Sequence, residues 1–333
     1  MIATCQRGVE VVGVGAHMPE RVMTNDEIAT FVETSDQWIA SRTGIRQRRI
    51  AGEGESSASL GAEAAVRALE SAGISGNDLD LIVTATASPD YYFPATATLI
   101  GERIGARGVA GYDLSAACTG FIYALAQAYG QLSAGLADTV LVVGTEVFSR
   151  LLDWGDRSTC VLFGDGAGAV VLARNGSTTG ILGFELGSDG SGAELLEVAA
   201  AGHSTEPAAT PYVRMDGAQV YKFATTVSVD SATRALTAAG LTVADVDVFV
   251  PHQANRRIID HAARRLGLAE DRVVSNVDKY GNTSAASIPI CLDEAHRAGR
   301  IKAGDVVLMT GFGGGLSWGS CVMEWTLPLE ETR

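Results

Sequence analysis

The apolar and polar positions of this chain alternate between amphipathic stretches with helical spacing and short runs that are apolar throughout. The spacing predicts helices over residues 58–71, 118–132, 227–239 and 285–298, and strands over 79–85, 139–143, 246–250 and 306–310. Continuous apolar strands are typical of a sheet that is covered on both faces. Their alternation with helices therefore predicts an α/β architecture.

The same layout occurs twice along the chain, at a constant offset of 167 residues. Arg67 aligns with Arg234, and Gly144 aligns with Gly311, with no gap between the two positions. This period is too long for a solenoid, whose repeats span about 20–50 residues. We interpret the chain as two copies of one supersecondary layout, with the halves at residues 1–175 and 176–333.

Composition and charge exclude several classes of protein. The 333 residues are 47% hydrophobic and 19% charged, as in a soluble globular protein. A formal net charge of −14 argues against a surface for nucleic acid or for an anionic membrane. The first fifteen residues do not resemble a signal peptide, and no stretch approaches the ~20 apolar residues of a membrane helix. We therefore expect a cytoplasmic protein.

The five cysteines do not form a disulfide or zinc pattern, because their number is odd and none belongs to a CxxC pair. In a reducing compartment each is either a small buried residue or a reactive thiol. The five are Cys5, Cys118, Cys160, Cys291 and Cys321.

Candidate reactive side chains lie where predicted strands end, which is where sites gather in α/β folds. His252 follows the strand at 246–250, and a glycine cluster at 311–315 follows the next strand. Cys118 lies at a strand-to-helix junction, and a helix N-terminus favours the nucleophilic thiolate form. Asn282 directly precedes another predicted helix.

Each of these residues also has a structural interpretation. Taken alone, Cys118 fits a buried core cysteine, His252 a satisfied core histidine, and Asn282 a helix cap. The segment GVGAHM at 13–18 lacks the third glycine of a dinucleotide fingerprint, so we reject that interpretation.

Cysteine, histidine and asparagine in this chain order resemble the catalytic set of the thiolase-fold condensing enzymes. Within them, the chain is similar to the β-ketoacyl-acyl carrier protein synthase III family along essentially its whole length. The matching motifs are TSDQWIASRTGIRQRR, DLSAACTGF, DRSTCVLFGDGAGAVVL, VFVPHQANRRI, GNTSAASIP and GFGGGLSWGS. The resemblance implies two duplicated α/β halves with mixed five-stranded sheets in a five-layered αβαβα arrangement.

The resemblance also implies catalytic roles. Cys118 takes the acyl group from acyl-CoA, and His252 and Asn282 then bind the malonyl thioester carbonyl. Backbone N–H groups of Cys118 and Gly314 form the oxyanion hole, and Phe312 lies beside the departing carboxylate. Acyl-CoA and malonyl-acyl carrier protein are substrates, and no metal or redox cofactor is implied.

Further residues are implied to bind substrates and partners. Those for CoA are Trp38, Arg42, Arg157, Gly217, Ala254 and Asn255. A basic cluster is implied to dock the acidic carrier protein, although charge runs are more often solvated helix faces; it comprises Lys222, Arg256 and Arg257, with Arg214, Arg264 and Arg265 nearby. Phe93 is implied to reach the partner subunit's acyl pocket, and the strand at 139–143 to pair across a homodimer.

The function expected from these roles is the decarboxylative condensation that initiates fatty acid or polyketide chains. A thiolase is disfavoured, because its second catalytic cysteine has no counterpart in the GFGGG loop. Plant-type polyketide synthases and papain-like hydrolases share the residue set but not the rest of the pattern. Two alternatives stay open: an acyl-CoA-dependent acyltransferase of secondary metabolism, and a non-condensing subunit that binds carrier protein.

Overall fold

A computed structural model describes residues 8–174, 176, 179–199 and 210–329. Cys5 and position 175, at the proposed junction of the halves, lie outside the described residues. So does most of the stretch between residues 197 and 214.

The strands of the described chain belong to two large sheets and two short ribbons. In chain order they are β1 (Val9–His17), β2 (Val22–Thr24), β3 (Gln47–Arg49), β4 (Leu81–Ala85), β5 (Ala110–Leu114), β6 (Thr139–Val147), β7 (Asp165–Arg174), β8 (Ile181–Ser188), β9 (Leu196–Glu197), β10 (Arg214–Met215), β11 (Val248–Pro251), β12 (Val306–Gly313) and β13 (Ser317–Glu324).

The helices alternate with these strands, as the sequence pattern predicts. They are α1 (Asn25–Ile28), α2 (Asp36–Thr43), α3 (Ser57–Ala72), α4 (Thr96–Arg103), α5 (Gly120–Ala134), α6 (Gly217–Ala238), α7 (Arg256–Leu266), α8 (Val277–Tyr280) and α9 (Ser287–Arg297). Two 3-10 turns precede helices at equivalent places in the halves. We call Ala117–Thr119 the nucleophile turn and Ser284–Ala286 the Ser284 turn.

The two large sheets share one strand order, which confirms the duplication. The first runs β1-β7-β6-β4-β5, and the second runs β8-β13-β12-β11. In both, a parallel pair (β6 with β4, β12 with β11) is followed on one side by two strands that pair antiparallel (β7 and β1, β13 and β8). The first sheet adds β5, which runs parallel to β4. The second sheet has four strands among the described residues, not the five expected. The place of a fifth strand is taken by Val273, which makes a single bridge to Phe249.

The predicted pairing of the strand at 139–143 across a dimer is wrong. This strand is β6, and both of its edges are already hydrogen-bonded, to β4 on one side and β7 on the other. Since a backbone edge pairs only once, the edge strand β5 is the one with an unpaired side on that end of the sheet.

The five-layered arrangement is confirmed by the packing of the helices. Helices α3 and α4 cover the outer face of the first sheet, α5 and α9 lie between the sheets, and α6 and α7 cover the outer face of the second. The central layer buries side chains such as Phe121 and Leu292 completely. Burying a side chain of this size stabilises the fold by about 1.5–3 kcal/mol. No helix in the described part of the chain is long and apolar enough to cross a membrane.

Helix α6 begins at Gly217, well before the predicted start at residue 227. The Asp216 side chain accepts hydrogen bonds from the N–H groups of Ala218 and Gln219, at 3.1 and 3.0 Å, and so caps the helix. The early start brings Gly217 into the pocket described below.

Candidate active site

A pocket between the two halves brings together the three residues expected to be catalytic. Cys118, His252, Asn282 and Phe312 all line it. The other lining residues are Leu162, Phe163, Leu196, Met215, Gly217, Val220, Tyr221, Ala254, Asn255, Ile258 and Gly313. Most of these side chains are apolar, so the few polar groups stand in a setting of low polarity.

Cys118 lies in the nucleophile turn, just before α5 rather than in its first helical turn as predicted. Ala117 holds the turn in a left-handed conformation, with a φ of 46°. The turn also packs closely on strand β12, where a Cβ added at Gly313 would lie 2.8 Å from the Cys118 nitrogen. Only glycine therefore fits at position 313, and its absent side chain lets the two elements meet.

The expectation of a resting thiolate at Cys118 is wrong. Burial raises the pKa of the thiol to about 12, although the Ser284 hydroxyl lowers it somewhat. Desolvation penalises the charged form, so the thiol is the resting form at neutral pH. The proton on Cys118 must consequently leave as the sulfur attacks, which requires a base.

His252 is held at the end of β11 as a neutral imidazole. Its backbone N–H donates to the Thr310 carbonyl at 2.8 Å, and its Nδ1 lies 2.6 Å from Ser287 Oγ. The Phe312 ring packs edge-on against the imidazole, with centroids 5.4 Å apart. Burial lowers the pKa of His252 to about 3, so the ring is uncharged at neutral pH.

Ser287 favours one tautomer of this imidazole. Its Oγ accepts a hydrogen bond from the Gln253 backbone N–H at 3.3 Å, so its own hydrogen is available for Nδ1 of His252. With Nδ1 as the acceptor, the ring hydrogen of His252 lies on Nε2. This arrangement makes Nε2–H a donor for a ligand.

Asn282 is fixed through its backbone and its amide oxygen. Its N–H donates to Leu162 O at 2.9 Å, and its carbonyl accepts from Gly164 N–H at 3.0 Å. The side-chain Oδ1 accepts from Ser284 N–H at 2.9 Å. Since the oxygen is occupied, the Nδ2 group of the carboxamide is left to donate to a ligand.

The C-terminal glycine loop is tied to the nucleophile turn by hydroxyl groups. Thr119 Oγ1 and Ser317 Oγ lie 2.7 Å apart, and Ser317 Oγ also donates to the carbonyls of Ala116 and Gly314. Gly314, expected to contribute to the oxyanion hole, begins the turn after β12 and is not among the lining residues, whereas Gly313 is.

Residues expected to bind CoA form a continuous path away from the pocket. Asn255 lines the pocket, and its Nδ2 donates to the Arg42 carbonyl at 3.2 Å. The guanidinium groups of Arg42 and Arg157 lie over the Trp38 ring, 4.5 and 4.8 Å from its centroid. The structure thus places the two cationic side chains, Arg42 and Arg157, against the aromatic ring of Trp38.

The basic cluster is less uniform than the sequence suggests. Arg256 forms ion pairs with Asp260 at 2.6 Å and Glu270 at 3.2 Å, so its charge is already matched within the chain. Arg257 instead lies over the ring of Tyr221, 5.3 Å from its centroid. Because Tyr221 lines the pocket, Arg257 is at its mouth. Arg214, another member of the cluster, pairs with Glu197.

Sequence reasoning missed several groups that support the site. Glu146 is a fully buried carboxyl group on β6, and an acidic residue in an otherwise apolar strand was a visible signal. Ser284 occupies the position of Ala117 in the duplicated half, which the 167-residue offset already indicates. Ser287 and Ser317 had no distinguishing pattern. Within the described residues, no cluster of three or more His, Cys, Asp or Glu is arranged to hold a metal ion.

Two similar sheets that share central helices, with cysteine, histidine and asparagine meeting in one pocket, define a thiolase-fold condensing enzyme. Comparisons with known proteins narrow this class. The family described as 3-oxoacyl-[acyl-carrier-protein (ACP)] synthase III matches residues 112–190, and its C-terminal counterpart matches residues 236–325.

Relatives match over nearly the whole chain. The β-ketoacyl-[acyl-carrier-protein] synthase III of Rhizobium meliloti (strain 1021) is 52% identical over 318 residues, which are 94% of this chain and 98% of the relative. The crystal structure of 3-oxoacyl-[acyl-carrier-protein] synthase III from Aquifex aeolicus VF5 is 44% identical with a TM-score of 0.91, covering 96% of this chain and 100% of that one. The priming β-ketosynthase of the R1128 polyketide biosynthetic pathway is 39% identical with a TM-score of 0.92, covering 98% and 99%. The chain belongs to the β-ketoacyl-acyl carrier protein synthase III family.

Proposed function

We propose that the protein catalyses the condensation that initiates fatty acid synthesis. An acyl-CoA primer and malonyl-acyl carrier protein give β-ketoacyl-acyl carrier protein, CoA and carbon dioxide. The observation that carries this proposal is the meeting of Cys118, His252 and Asn282 in one mostly apolar pocket. A nucleophile with two neutral donors beside it suits acyl capture followed by decarboxylation.

In the first half-reaction, Cys118 Sγ attacks the thioester carbonyl of the primer and CoA leaves. The carbonyl oxygen gains negative charge, which backbone N–H groups of Cys118 and Gly314 stabilise. The acyl group is then held as a thioester on Cys118 while the second substrate enters. Covalent capture divides the reaction into two steps and predicts ping-pong kinetics.

In the second half-reaction, the malonyl group loses carbon dioxide and negative charge develops on its thioester oxygen. Nε2–H of His252 and Nδ2 of Asn282 donate to that oxygen without giving up a proton. The Phe312 ring beside His252 offers no partner to the malonyl carboxylate. Because a charged group in an apolar setting is costly, release of neutral carbon dioxide is favoured. The resulting carbanion attacks the acyl group on Cys118.

The surroundings of the pocket suit these two substrates. The Trp38, Arg42 and Arg157 group offers a stacking surface and positive charge for the adenine end of CoA. Lys222 and Arg257 are proposed to meet the acidic carrier protein, since Arg257 lies at the pocket mouth. Thioester exchange and decarboxylation with these groups need no metal or redox cofactor.

We also propose that the protein works in the cytoplasm as a homodimer of subunits with halves 1–175 and 176–333. Phe93 is 86% exposed in the single chain, next to the exposed Tyr91 and Tyr92, which is unusual for three consecutive aromatic residues. The unpaired side of β5 belongs to the same half. Sedimentation equilibrium of the wild type and of Phe93→Asp tests this: a dimer that the substitution weakens supports it, and a monomeric wild type contradicts it.

A second candidate is the priming step of a polyketide pathway, favoured by the likeness to the R1128 enzyme. The chemistry at Cys118 is the same, so the primer and the carrier protein separate the two. Two other candidate functions remain. One is acyl transfer from acyl-CoA to a different acceptor, and the other is binding of the carrier protein without condensation.

Intact mass measurements with a panel of acyl-CoAs, followed by malonyl-acyl carrier protein, test the proposal. Wild-type protein and Cys160→Ala should be acylated and should form product, whereas Cys118→Ala should not; Cys160 is a matched control because it is buried outside the pocket. Acylation without carbon dioxide release would identify an acyltransferase. No acylation by any primer would leave the binding subunit as the function.

A further inference from the structure

A buried carboxyl group lies beneath the candidate site and has no part in the mechanism above. Glu146 is fully buried near the end of β6. Its Oε2 accepts hydrogen bonds from Ser88 Oγ at 2.6 Å, Ala87 N–H at 3.1 Å and Thr86 Oγ1 at 3.3 Å. Its Oε1 faces the Ser284 turn, where the Ala285 N–H lies 3.5 Å away. The carboxyl group is therefore held between the end of β4 and the Ser284 turn.

The Ser284 hydroxyl lies between this carboxyl group and the nucleophile. Ser284 is fully buried, and its Oγ has no hydrogen-bond partner of normal geometry among the described residues. The hydroxyl is nevertheless close enough to lower the pKa of both Cys118 and Glu146. The Ser284 turn packs directly on the nucleophile turn, and a Cβ added at Gly120 would lie 3.4 Å from the Ala285 Cβ. The Ser284 hydroxyl is thus buried between the thiol and the carboxyl group without a fixed hydrogen-bond partner among the described residues. A hydroxyl in this position can accept a proton from one side and donate its own to the other.

We propose that Glu146 takes the thiol proton of Cys118 through the Ser284 hydroxyl during acylation, and returns it when Cys118 departs after condensation. This inference rests on the proposed function and adds a base to it. Ser284 donates its hydrogen to Glu146 as it receives that of Cys118. Glu146 does not contact the reacting sulfur in this scheme; it acts through Ser284 and supplies the base that the proton transfer needs.

The two half-reactions balance with this assignment. In the first, a bond forms between Cys118 Sγ and the acyl carbon, the bond to the CoA sulfur breaks, and the thiol proton goes to Glu146. The CoA thiolate leaves and takes a proton from solvent. In the second, carbon dioxide is lost, the carbanion attacks the acyl carbon, and the Cys118 thiolate departs. Glu146 then gives its proton back through Ser284, which restores the starting enzyme.

The acid–base properties of the site support a carboxylate in this role. Burial raises the pKa of Glu146 to about 7, while the hydrogen bond from Ser88 and the nearby Ser284 hydroxyl lower it, so the group is poised between its two forms near neutral pH. Burial lowers the pKa of His252 to about 3, which makes it a poor base. The groups that face Glu146 are Thr86, Ala87 and Ser88 from β4's end, Ser284 and Ala285 from the Ser284 turn, and Cys118. Of these, Cys118 alone titrates.

The sign of the pH dependence follows from the role. Glu146 accepts a proton only when it is ionised, so the acylation rate should fall as the pH drops below about 7. Single-turnover acylation by a short acyl-CoA, followed by quenched intact mass between pH 5.5 and 9, measures this directly. The variants are Glu146→Gln and Ser284→Ala, and the matched control is Asp165→Asn, another buried carboxyl group, bound to Ser149 and to the Ala51 N–H.

The expected result is a wild-type rate that rises through an apparent pKa near 7. Glu146→Gln should lose that inflection and acylate about 10²-fold more slowly at pH 7.5, in the range for loss of a general base. Ser284→Ala should also be slower and should lose the solvent deuterium isotope effect of the wild type. Asp165→Asn should keep the wild-type pH profile even where its thermal stability is lower.

An unchanged pH profile in a folded Glu146→Gln protein overturns the inference while leaving the proposed function intact. A change that appears equally in Asp165→Asn also overturns it, because any buried carboxyl group would then produce it. Failure of the proposed function is a different result: the wild type itself would not be acylated at Cys118.

Discussion

Ala117 and Ser284 share a left-handed backbone conformation, with φ of 46° and 47°, and they lie 167 residues apart at equivalent positions of the duplicated halves. Among the described residues, they are the only non-glycine residues with positive φ. Each begins a 3-10 turn ahead of a central helix. One turn presents Cys118, and the other follows Asn282 and carries the hydroxyl beneath the nucleophile. The duplicated fold has thus kept a strained turn in both halves, at the point where they meet.

The strain at Ala117 predicts the effect of glycine there. A left-handed conformation costs a non-glycine residue about 1–2 kcal/mol, whereas glycine adopts it freely but loses about 0.5–1 kcal/mol in chain entropy. Ala117→Gly should therefore leave the free energy of unfolding unchanged or raise it slightly. Ala116 is the matched control, because its φ of −142° gives glycine no strain to relieve. Chemical denaturation should show Ala117→Gly more stable than Ala116→Gly by about 1–2 kcal/mol; equal losses in both would show that the turn stores no strain.

The sequence was sufficient to predict the fold class, the duplication and the three candidate catalytic residues of the pocket, for a physical reason. Apolar runs and terminal glycines are local signals: Gly73 and Gly135 follow α3 and α5 in left-handed conformations, close to the predicted helix ends at residues 71 and 132. Cys118 follows β5 of the first sheet and His252 follows β11 of the second, whereas Asn282 follows the short helix α8; one pocket brings the three together. What the sequence did not indicate depends on contacts between distant segments.

The failures show which contacts those are. The prediction that β6 pairs across the dimer was wrong because strand order is not a local property of the sequence, and β6 lies in the middle of its sheet. The thiolate form of Cys118, which the sequence pattern favours, is opposed by burial, because burial raises the pKa of the thiol. The ion pairs of Arg256 with Asp260 and Glu270 likewise join positions that the sequence pattern does not link.

Loss of either donor in the pocket should separate the two half-reactions. His252→Ala and Asn282→Ala should each slow carbon dioxide release from malonyl-acyl carrier protein by about 10²–10³-fold, as for removal of an oxyanion donor. Acylation of Cys118 should be affected much less, since neither donor contacts the primer carbonyl in that step. Because the pKa of His252 is lowered to about 3, its neutral form persists from pH 5 to pH 8 and decarboxylation should show no histidine titration there. A carbon dioxide assay checks both, and equal losses in the two half-reactions would contradict the assignment.

Trp38 should matter for the adenine end of CoA and for nothing nearer the chemistry. Trp38→Ala removes the ring over which Arg42 and Arg157 lie, so the KM for acyl-CoA should rise about tenfold, in line with stacking of ~1–2 kcal/mol. An acyl-pantetheine thioester, which lacks the adenine, is the matched substrate control, and its kcat/KM should not change. Steady-state kinetics with both thioesters decide the point. A parallel loss with acyl-pantetheine would place the effect of Trp38 in the fold of the pocket instead.

The basic residues at the pocket mouth should differ in their effect on the carrier protein. Arg257, over the Tyr221 ring, and Lys222 form no ion pair with another described residue, whereas Arg256 is matched by Asp260 and Glu270. Arg257→Glu and Lys222→Glu should each raise the KM for malonyl-acyl carrier protein by about tenfold with kcat little changed, and weaken its salt dependence, because docking charges act chiefly on encounter. Arg265→Glu makes the same change of charge on an exposed position of α7 and should have a small effect. Kinetics at two ionic strengths test this, and an equal effect of Arg265→Glu would show that net charge alone, not a docking position, governs the encounter.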